Sequence, residues 1–398
     1  MITLSFTGDL LVYRSLIKKS LSNGRYNFDD VFINVKDLFR NSTYVVGNLE
    51  TPIAGKHFGY TRMDMLFNTP KEFAESMVNA GFNMVTTANN HCTDKGILGV
   101  NETLKNLTSI GLEHTGIRED LHSKNYIIKD FDSVKIAFIS YTYGTNPNVN
   151  GCLLSEDDEL RINITKKPDC IYHRSWLKQI VMDLFFELPK SLQDRIHPLY
   201  PQHPYDDNVS KTEIESEENN IYIERLKETI QKVKLESDLI VFCLHAGGQF
   251  NNEVGPYTQY LINLIKDCGA DIIICNHPHC VLGSEWNKNS FVAYSLGNFT
   301  FTPGEGYFID GVYGEYGVVL HIDIEELKIK DVRFSIVKNI KTKDGKTQVQ
   351  STSLLYLNAG SDSEKQKLYN DIIAVIERFI KKPVKNIIIK ETYSYTEF

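Results

Sequence analysis

Short apolar runs separated by amphipathic stretches set the rhythm of the first 145 residues. Ile2–Thr7 and Thr43–Val46 are apolar runs of strand length. Lys71–Ala80 carries apolar residues at helical spacing and stops before Gly81, a residue suited to the left-handed turn that ends helices. Phe82–Thr86 predicts another strand, Leu98–Ile110 a second helix stopping before Gly111, and Lys135–Ser140 a further strand. Strands alternating with helices predict βαβ units, and so an α/β fold with a largely parallel sheet.

The rhythm breaks at about 146–220. That stretch holds half of the chain's 12 prolines and the acidic cluster Glu213–Glu218, with one amphipathic segment, Trp176–Leu188, at helical spacing. It is expected to be an insertion or lid, because a long structureless loop inside a compact domain is improbable. Alternation then resumes with a helix at Ile221–Leu235, a strand at Asp238–Leu244, a helix at Pro256–Cys268 opened by proline, and a strand at Asp271–Cys275. After Phe291 the chain turns β-rich: Phe291–Ser295, Gly317–Ile324 and Val332–Val337 predict strands in antiparallel succession, and a helix at Glu364–Lys381 precedes a polar tail. The expected division is one domain over 1–340, carrying the insertion, and a C-terminal strand, helix and tail over 341–398.

Polar residues fall just after these apolar runs, again and again. Asp9, Glu50, the run Asn89-Asn90-His91, His245, and Asn276-His277-Pro278-His279 each follow or end a predicted strand. Ligands of open α/β sheets bind at the carboxyl ends of strands, so five strand ends are expected to deliver carboxylate, amide and imidazole groups toward one sheet edge. Mixed nitrogen and oxygen donors suit Mn²⁺, Fe²⁺ or Zn²⁺, whereas magnesium and calcium take mostly oxygen. Two histidines one residue apart can face one ion or split between two. Each piece also has a plainer reading, since Asp and Asn serve turns and helix caps. Only the ordered set argues for metal.

The 398 residues are 42% hydrophobic and 24% charged, ordinary for globular proteins. A net charge of −8, with lysines and arginines scattered, excludes a nucleic-acid surface. It also makes a polyanionic ligand electrostatically awkward unless a local positive pocket exists. The seven cysteines include no Cys-x-x-Cys pair and lie mostly in apolar runs, as reduced core thiols do. No segment approaches the roughly 20 apolar residues of a membrane span. As it stands the chain is expected to be soluble and cytoplasmic, with envelope association left to an anchor or partner.

The motifs Phe6-Thr-Gly-Asp9 with Arg14, Gly47-Asn-Leu-Glu50, Ala88-Asn-Asn-His91 with Asp94 and Gly96, Gly111-Leu-Glu-His-Thr-Gly116, His245-Ala-Gly, Gly269 through His279, and Tyr294-Ser-Leu-Gly-Asn-Phe299 together resemble the bacterial CapA family of poly-γ-glutamate capsule synthesis, similar to calcineurin-like metallophosphoesterases. The resemblance covers about 1–145 and 236–300. It implies a four-layer α/β sandwich with one or two divalent ions held by Asp9, Glu50, Asn90, His245, His277 and His279. It further implies His91 as general acid, oriented by Asp94, although Asp94 equally suits a cap on the helix after Gly96. Arg14 and Asn298 are the expected substrate contacts, Asn298 being equally suited to capping backbone.

Two departures stand out. The related phosphoesterases place a histidine two residues after the first aspartate, where this chain has Leu11. This leaves a weakened or missing ion site, or a positive charge supplied by Arg14. The family's His-Trp-Gly-x-Glu is here His245-Ala-Gly-Gly-Gln249. Two functions follow: a hydrolase of a phosphoester or polyglutamate amide, or a non-catalytic component of the polymer machinery that binds a metal or anionic chain.

Overall fold

The computed structural model describes residues 1–62, 65–171, 184, 192, 216–287, 289–305 and 311–398. Strand β1 (Ile2–Leu10) is followed by a small hairpin, β2 (Leu21–Ser22) and β3 (Arg25–Tyr26), and then by β4 (Tyr44–Leu49), β5 (Met84–Thr86) and β6 (Glu113–Thr115). Next come β7 (Tyr126–Phe131), β8 (Val134–Thr142), β9 (Leu239–His245), β10 (Ile272–Asn276), β11 (Ser284–Trp286) and β12 (Phe291–Ala293). The last group is β13 (Asn298–Thr300), β14 (Tyr316–Glu325), β15 (Lys328–Lys341), β16 (Thr347–Ser351) and β17 (Tyr393–Ser394).

These strands build two large sheets. The first runs β16-β15-β14-β1-β4-β5-β6, with β13 also on β1 and β17 on β15. Its β1, β4, β5 and β6 are mutually parallel, while β14, β15 and β16 return antiparallel. The second runs β11-β12-β10-β9-β8-β7, parallel from β12 to β8.

Side-chain alternation explains why so many strands are apolar on both faces. Leu4 and Phe6 of β1 and Val46 of β4 point inward and pack with Phe138, Val241 and Ile274 of the other sheet. Outward-facing Val45 and Leu49 meet Phe73 and Met77 of the helix Lys71–Ala80. On the far side Ile240, Phe242 and Leu244 meet Leu226 and Ile230 of the helix Glu217–Lys234, and Leu261 and Ile265 of the helix Pro256–Cys268. The result is a four-layer α/β sandwich, helix–sheet–sheet–helix. Each fully buried side chain of this kind stabilises it by about 1.5–3 kcal/mol.

Phe291–Ser295 departs from the sequence expectation. Its strand spans Phe291–Ala293 and lies in the second sheet, parallel to β10 rather than in the antiparallel run. Local patterning cannot choose between sheets when both faces are buried. Residues beyond 340 share the main core: β16 extends the first sheet, and the helix Asp362–Ile380 lays Ile372, Val375, Ile376 and Phe379 between the layers. The start of the insertion is tied down by short helices at Pro147–Asn150 and Glu156–Arg161 and by bridges from Ile162 to Ile117 and from Ile164 to Thr142. Apart from Leu184, the expected helix Trp176–Leu188 lies outside the described residues. All seven cysteines are free thiols, and no helix among the described residues is long and apolar enough to cross a membrane.

One close approach fixes the site. Beside Gly8, a Cβ would stand 1.9 Å from the Gly297 carbonyl, which accepts the Asp9 N–H at 2.9 Å. Glycine at position 8 is therefore what lets β13 run against β1 and seat Asp9.

Candidate metal centre

The carboxyl ends of strands from both sheets meet at the donor residues. Asp9 on β1, Glu50 after β4 and Asn90 after β5 come from the first sheet; His245 on β9 and His277 after β10 come from the second. The five strand ends thus converge across two packed sheets and not along one sheet edge. Sheet-on-sheet stacking supplies the second half of the site.

Asp9 is fully buried, accepts from Asn48 Nδ2 at 2.7 Å and from the His277 N–H at 3.2 Å, and stands 3.2 Å from His279 Nδ1. Burial pushes its pKa up, but the hydrogen bond and charge of His279, with help from His245 and Asn48, hold it below the ordinary carboxylate value. Burial likewise opposes the charged form of His279, yet Glu50 and Asp9 outweigh it and raise the imidazole to about 9. Asp9 and His279 form a buried ion pair.

His245 Nε2 lies 2.8 Å from Asn90 Oδ1, 3.1 Å from His277 Nδ1 and 3.4 Å from Glu50 Oε1, while Asn48 Nδ2 donates to its Nδ1 at 3.1 Å. His277, flanked by imidazoles, has its pKa driven well down by burial and then by the neighbouring histidines. His277 and His279 both hold positive φ, 106° and 55°. Such conformations cost about 1–3 kcal/mol each and gather at functional sites.

Two overlapping donor groups result: Asp9, Glu50 and His245, and Glu50, His277 and His279, each with its donor atoms within 4.8 Å of one another. Glu50 belongs to both. Both of its carboxylate oxygens and His277 Nε2 are buried with no hydrogen-bond partner. Polar atoms so placed are costly unless something binds them. The residues fit a divalent ion: carboxylate and imidazole donors converge, and the orphaned atoms lie within these groups.

His91 stands next to this cluster. Its Nδ1 lies 2.9 Å from Asp94 Oδ2, which also accepts the Phe67 N–H at 2.8 Å, and the Phe67 ring packs edge-on at 4.7 Å. Burial disfavours the imidazolium, but Asp94 and then Glu50 raise its pKa above the ordinary value. Asp94 serves His91 and not the following helix, whose N-cap is Lys95 with no side-chain cap.

Arg14 and Asn298 are placed differently. Arg14 is exposed, and its guanidinium donates to the Arg62 carbonyl at 3.5 Å. Asn298 is fully buried behind His279: its Oδ1 is 3.0 Å from His279 Nδ1, and its amide donates to the carbonyls of His279 and Gly314. Leu11, where the resemblance calls for histidine, packs in an apolar cluster with Tyr13, Phe67 and Phe301.

Sequence reasoning missed Asn48, which bridges Asp9, His245 and Thr86. Strand alternation carried the signal, because Asn48 lies two residues before Glu50 and so on the same face. It also missed Tyr143, whose ring centre is 4.9 Å from that of His277. No local pattern marks that residue.

The pattern of the family described as bacterial capsule synthesis protein PGA_cap matches residues 3–303. The chain belongs to that family. Within it, the chain is similar to the capsule biosynthesis protein CapA of Bacillus anthracis, 25% identical over 351 residues, which are 85% of this chain and 71% of that protein. It is also similar to the PGA biosynthesis protein CapA of Bacillus subtilis, 24% identical over 309 residues, covering 75% of this chain and 63% of the relative. Two uncharacterized Sinorhizobium fredii proteins, y4sH and y4uA, match at 24% over 319 residues. The chain thus spans about two thirds of the length of these relatives. In this capsule-synthesis family member every donor residue lies inside the matched 3–303.

Proposed function

We propose that the chain is a metal-dependent hydrolase acting on poly-γ-glutamate or a phosphoester-bearing capsule precursor. The observation that carries this reading is Glu50, shared by two donor groups and left without hydrogen bonds, beside the His91–Asp94 pair. Asp9, Glu50, Asn90, His245, His277 and His279 would hold one or two ions, Mn²⁺, Fe²⁺ or Zn²⁺ by donor type. A bound ion of this kind lowers the pKa of water and polarises the scissile group.

The protein's own share is proton handling and orientation. Asp94 occupies His91 Nδ1, fixing the ring and leaving Nε2 for a reacting atom. Water adds across the ester or amide bond, and His91 gives its proton to the departing oxygen or nitrogen. Asn48 and Asn298 hold Asp9 and His279 from behind.

Elemental analysis, together with turnover of a phosphodiester and of γ-linked polyglutamate under each metal, tests the reading. His277→Ala is expected to lose metal and turnover together, and His91→Gln to lose turnover alone. A protein that binds no metal and is indifferent to His277→Ala would sink the proposal. Buried, apolar Leu11 favours a second reading: a component of the polymer machinery that binds an anionic chain without cleaving it. Long incubation with polymer of unchanged length would support that one.

A further inference from the structure

Three imidazoles at the metal centre each carry an aromatic ring. Phe67 packs edge-on against His91 at 4.7 Å, Tyr143 tilts against His277 at 4.9 Å, and Phe250 tilts against His279 at 5.7 Å, all between ring centres. Their exposure separates them. Phe67 and Tyr143 are buried, at 2% and 5% exposure, whereas Phe250 is only half-buried. Of the three, Phe250 is the one that keeps surface a ligand can meet.

Phe250 is also held in a conformation that its own side chain disfavours. Its φ is 57°, in the left-handed region, where a bulky residue crowds its own backbone. Most other non-glycine residues with positive φ turn a hairpin, as Asn23, Asp132, Ser133, Glu326 and Leu327 do, or end a helix, as Lys381 does. Phe250, His277 and His279 instead meet at one place. The Phe250 N–H donates at 2.7 Å to the carbonyl of Pro278, the residue between the two histidines. The loop is pressed close there, since a Cβ on Gly247 would stand 3.1 Å from Pro278 Cγ. Tyr313, the other aromatic residue with positive φ, packs on Tyr316 and Arg378. Glycine or asparagine would turn the corner at 250 with less strain. Burial does not explain phenylalanine there, because the ring is only half-buried. Strained residues of this kind gather at ligand sites.

We infer that Phe250 is a specificity-determining residue, a wall beside His279 that seats an apolar or planar group carried next to the ligand's reacting atom. The inference rests on the proposed action at the neighbouring centre, and it deepens that reading by assigning the polarity and shape of that group. Ligand sites pair a few polar or metal contacts, which fix orientation, with aromatic surface that takes the body of the ligand. Here the carboxylates and imidazoles converge on the ion position, and Phe250 supplies the apolar surface next to it. Contact with a flat group adds to what burial of its area gives. A small substituent gains little from such a wall, so the ring discriminates between ligands that share one reacting group.

The test is calorimetric titration of the full chain, after chelation and again with Mn²⁺, using methylphosphonate and phenylphosphonate. The two share one charged head and differ in the apolar group. With Mn²⁺ the wild type should bind phenylphosphonate about 2- to 10-fold more tightly. Phe250→Gly removes ring and strain together, so melting temperature and metal content should hold while the two affinities become equal. Phe250→Leu keeps bulk without a π face and should retain only part of the preference. A wild type that does not discriminate overturns the wall, as does a preference that survives in Phe250→Gly or persists without Mn²⁺. Failure of both probes to bind at millimolar concentration overturns it too. Should Phe250→Gly lose metal, the ratio is read on Phe250→Leu, where an undiminished preference is the refuting result. Turnover of methyl and phenyl phosphate is scored separately. Ring-dependent preference without cleavage ends the hydrolase reading and leaves the wall, whereas cleavage of each ester at the wild-type rate by Phe250→Gly does the reverse.

Discussion

Glu50→Gln should change the sign of its effect on stability when metal is added. The carboxylate is fully buried, and neither oxygen accepts a hydrogen bond among the described residues. Leaving such a group unsatisfied costs about 1–3 kcal/mol, more for a charge. Neutralising Glu50 removes one of the two charges that favour the His279 imidazolium, yet leaves that ring with Asp9 at 3.2 Å and Asn298 at 3.0 Å. The metal-free variant is therefore expected to be more stable than the metal-free wild type by about 1–3 kcal/mol.

With a divalent ion at a hundredfold its Kd, the wild type gains about 2.7 kcal/mol by mass action. At about 2.1 cal/mol/K of unfolding entropy per residue, 398 residues give roughly 0.8 kcal/mol/K, so this gain is a rise of about 3 °C in Tm. The variant, missing the ligand common to both donor groups, should show little of that rise, and the order of the two melting temperatures inverts. Scanning calorimetry after chelation, and again with Mn²⁺ or Zn²⁺, reads both halves. A variant less stable than wild type in both states would mean that Glu50 is satisfied by protein alone, and the argument for a metal would fail.

Other expectations follow from the same geometry. His91→Gln should lower kcat by roughly 100- to 10,000-fold with metal content retained; equal loss of metal would make His91 a ligand instead. Gly8→Ala forces a Cβ into the Gly297 carbonyl and should cost about 3 kcal/mol in urea unfolding, with loss of metal uptake; a neutral result would refute the close approach. His321, buried against Ser5 and close to Arg333, has its pKa depressed from 6.5 to about 4, by burial first and then by the Arg333 charge, with Asp323 opposing. Between those values the unfolded chain binds more protons than the folded one, so this contribution is complete above pH 6.5 and is lost as pH falls toward 4. The loss amounts to about 3 kcal/mol, and His321→Gln should remove that part of the pH slope in urea melts.

What the sequence determined by itself was local and periodic. Apolar runs marked β1, β9 and β10, glycines marked the ends of helices at Gly81 and Gly111, and polar residues at strand ends named Asp9, Glu50, Asn90, His245, His277 and His279. Those features are encoded by neighbours along the chain, so patterning reveals them. Tertiary structure alone decided that two sheets and not one supply the donors, that Phe291–Ala293 joins the second sheet, and that Asn298 turns inward to His279. It also decided that Asn48 and Tyr143 enter the site. Each depends on contacts between residues tens to hundreds of positions apart. A strand buried on both faces carries no mark of which sheet will receive it, and a polar residue on such a strand carries no mark of the distant donor it will meet.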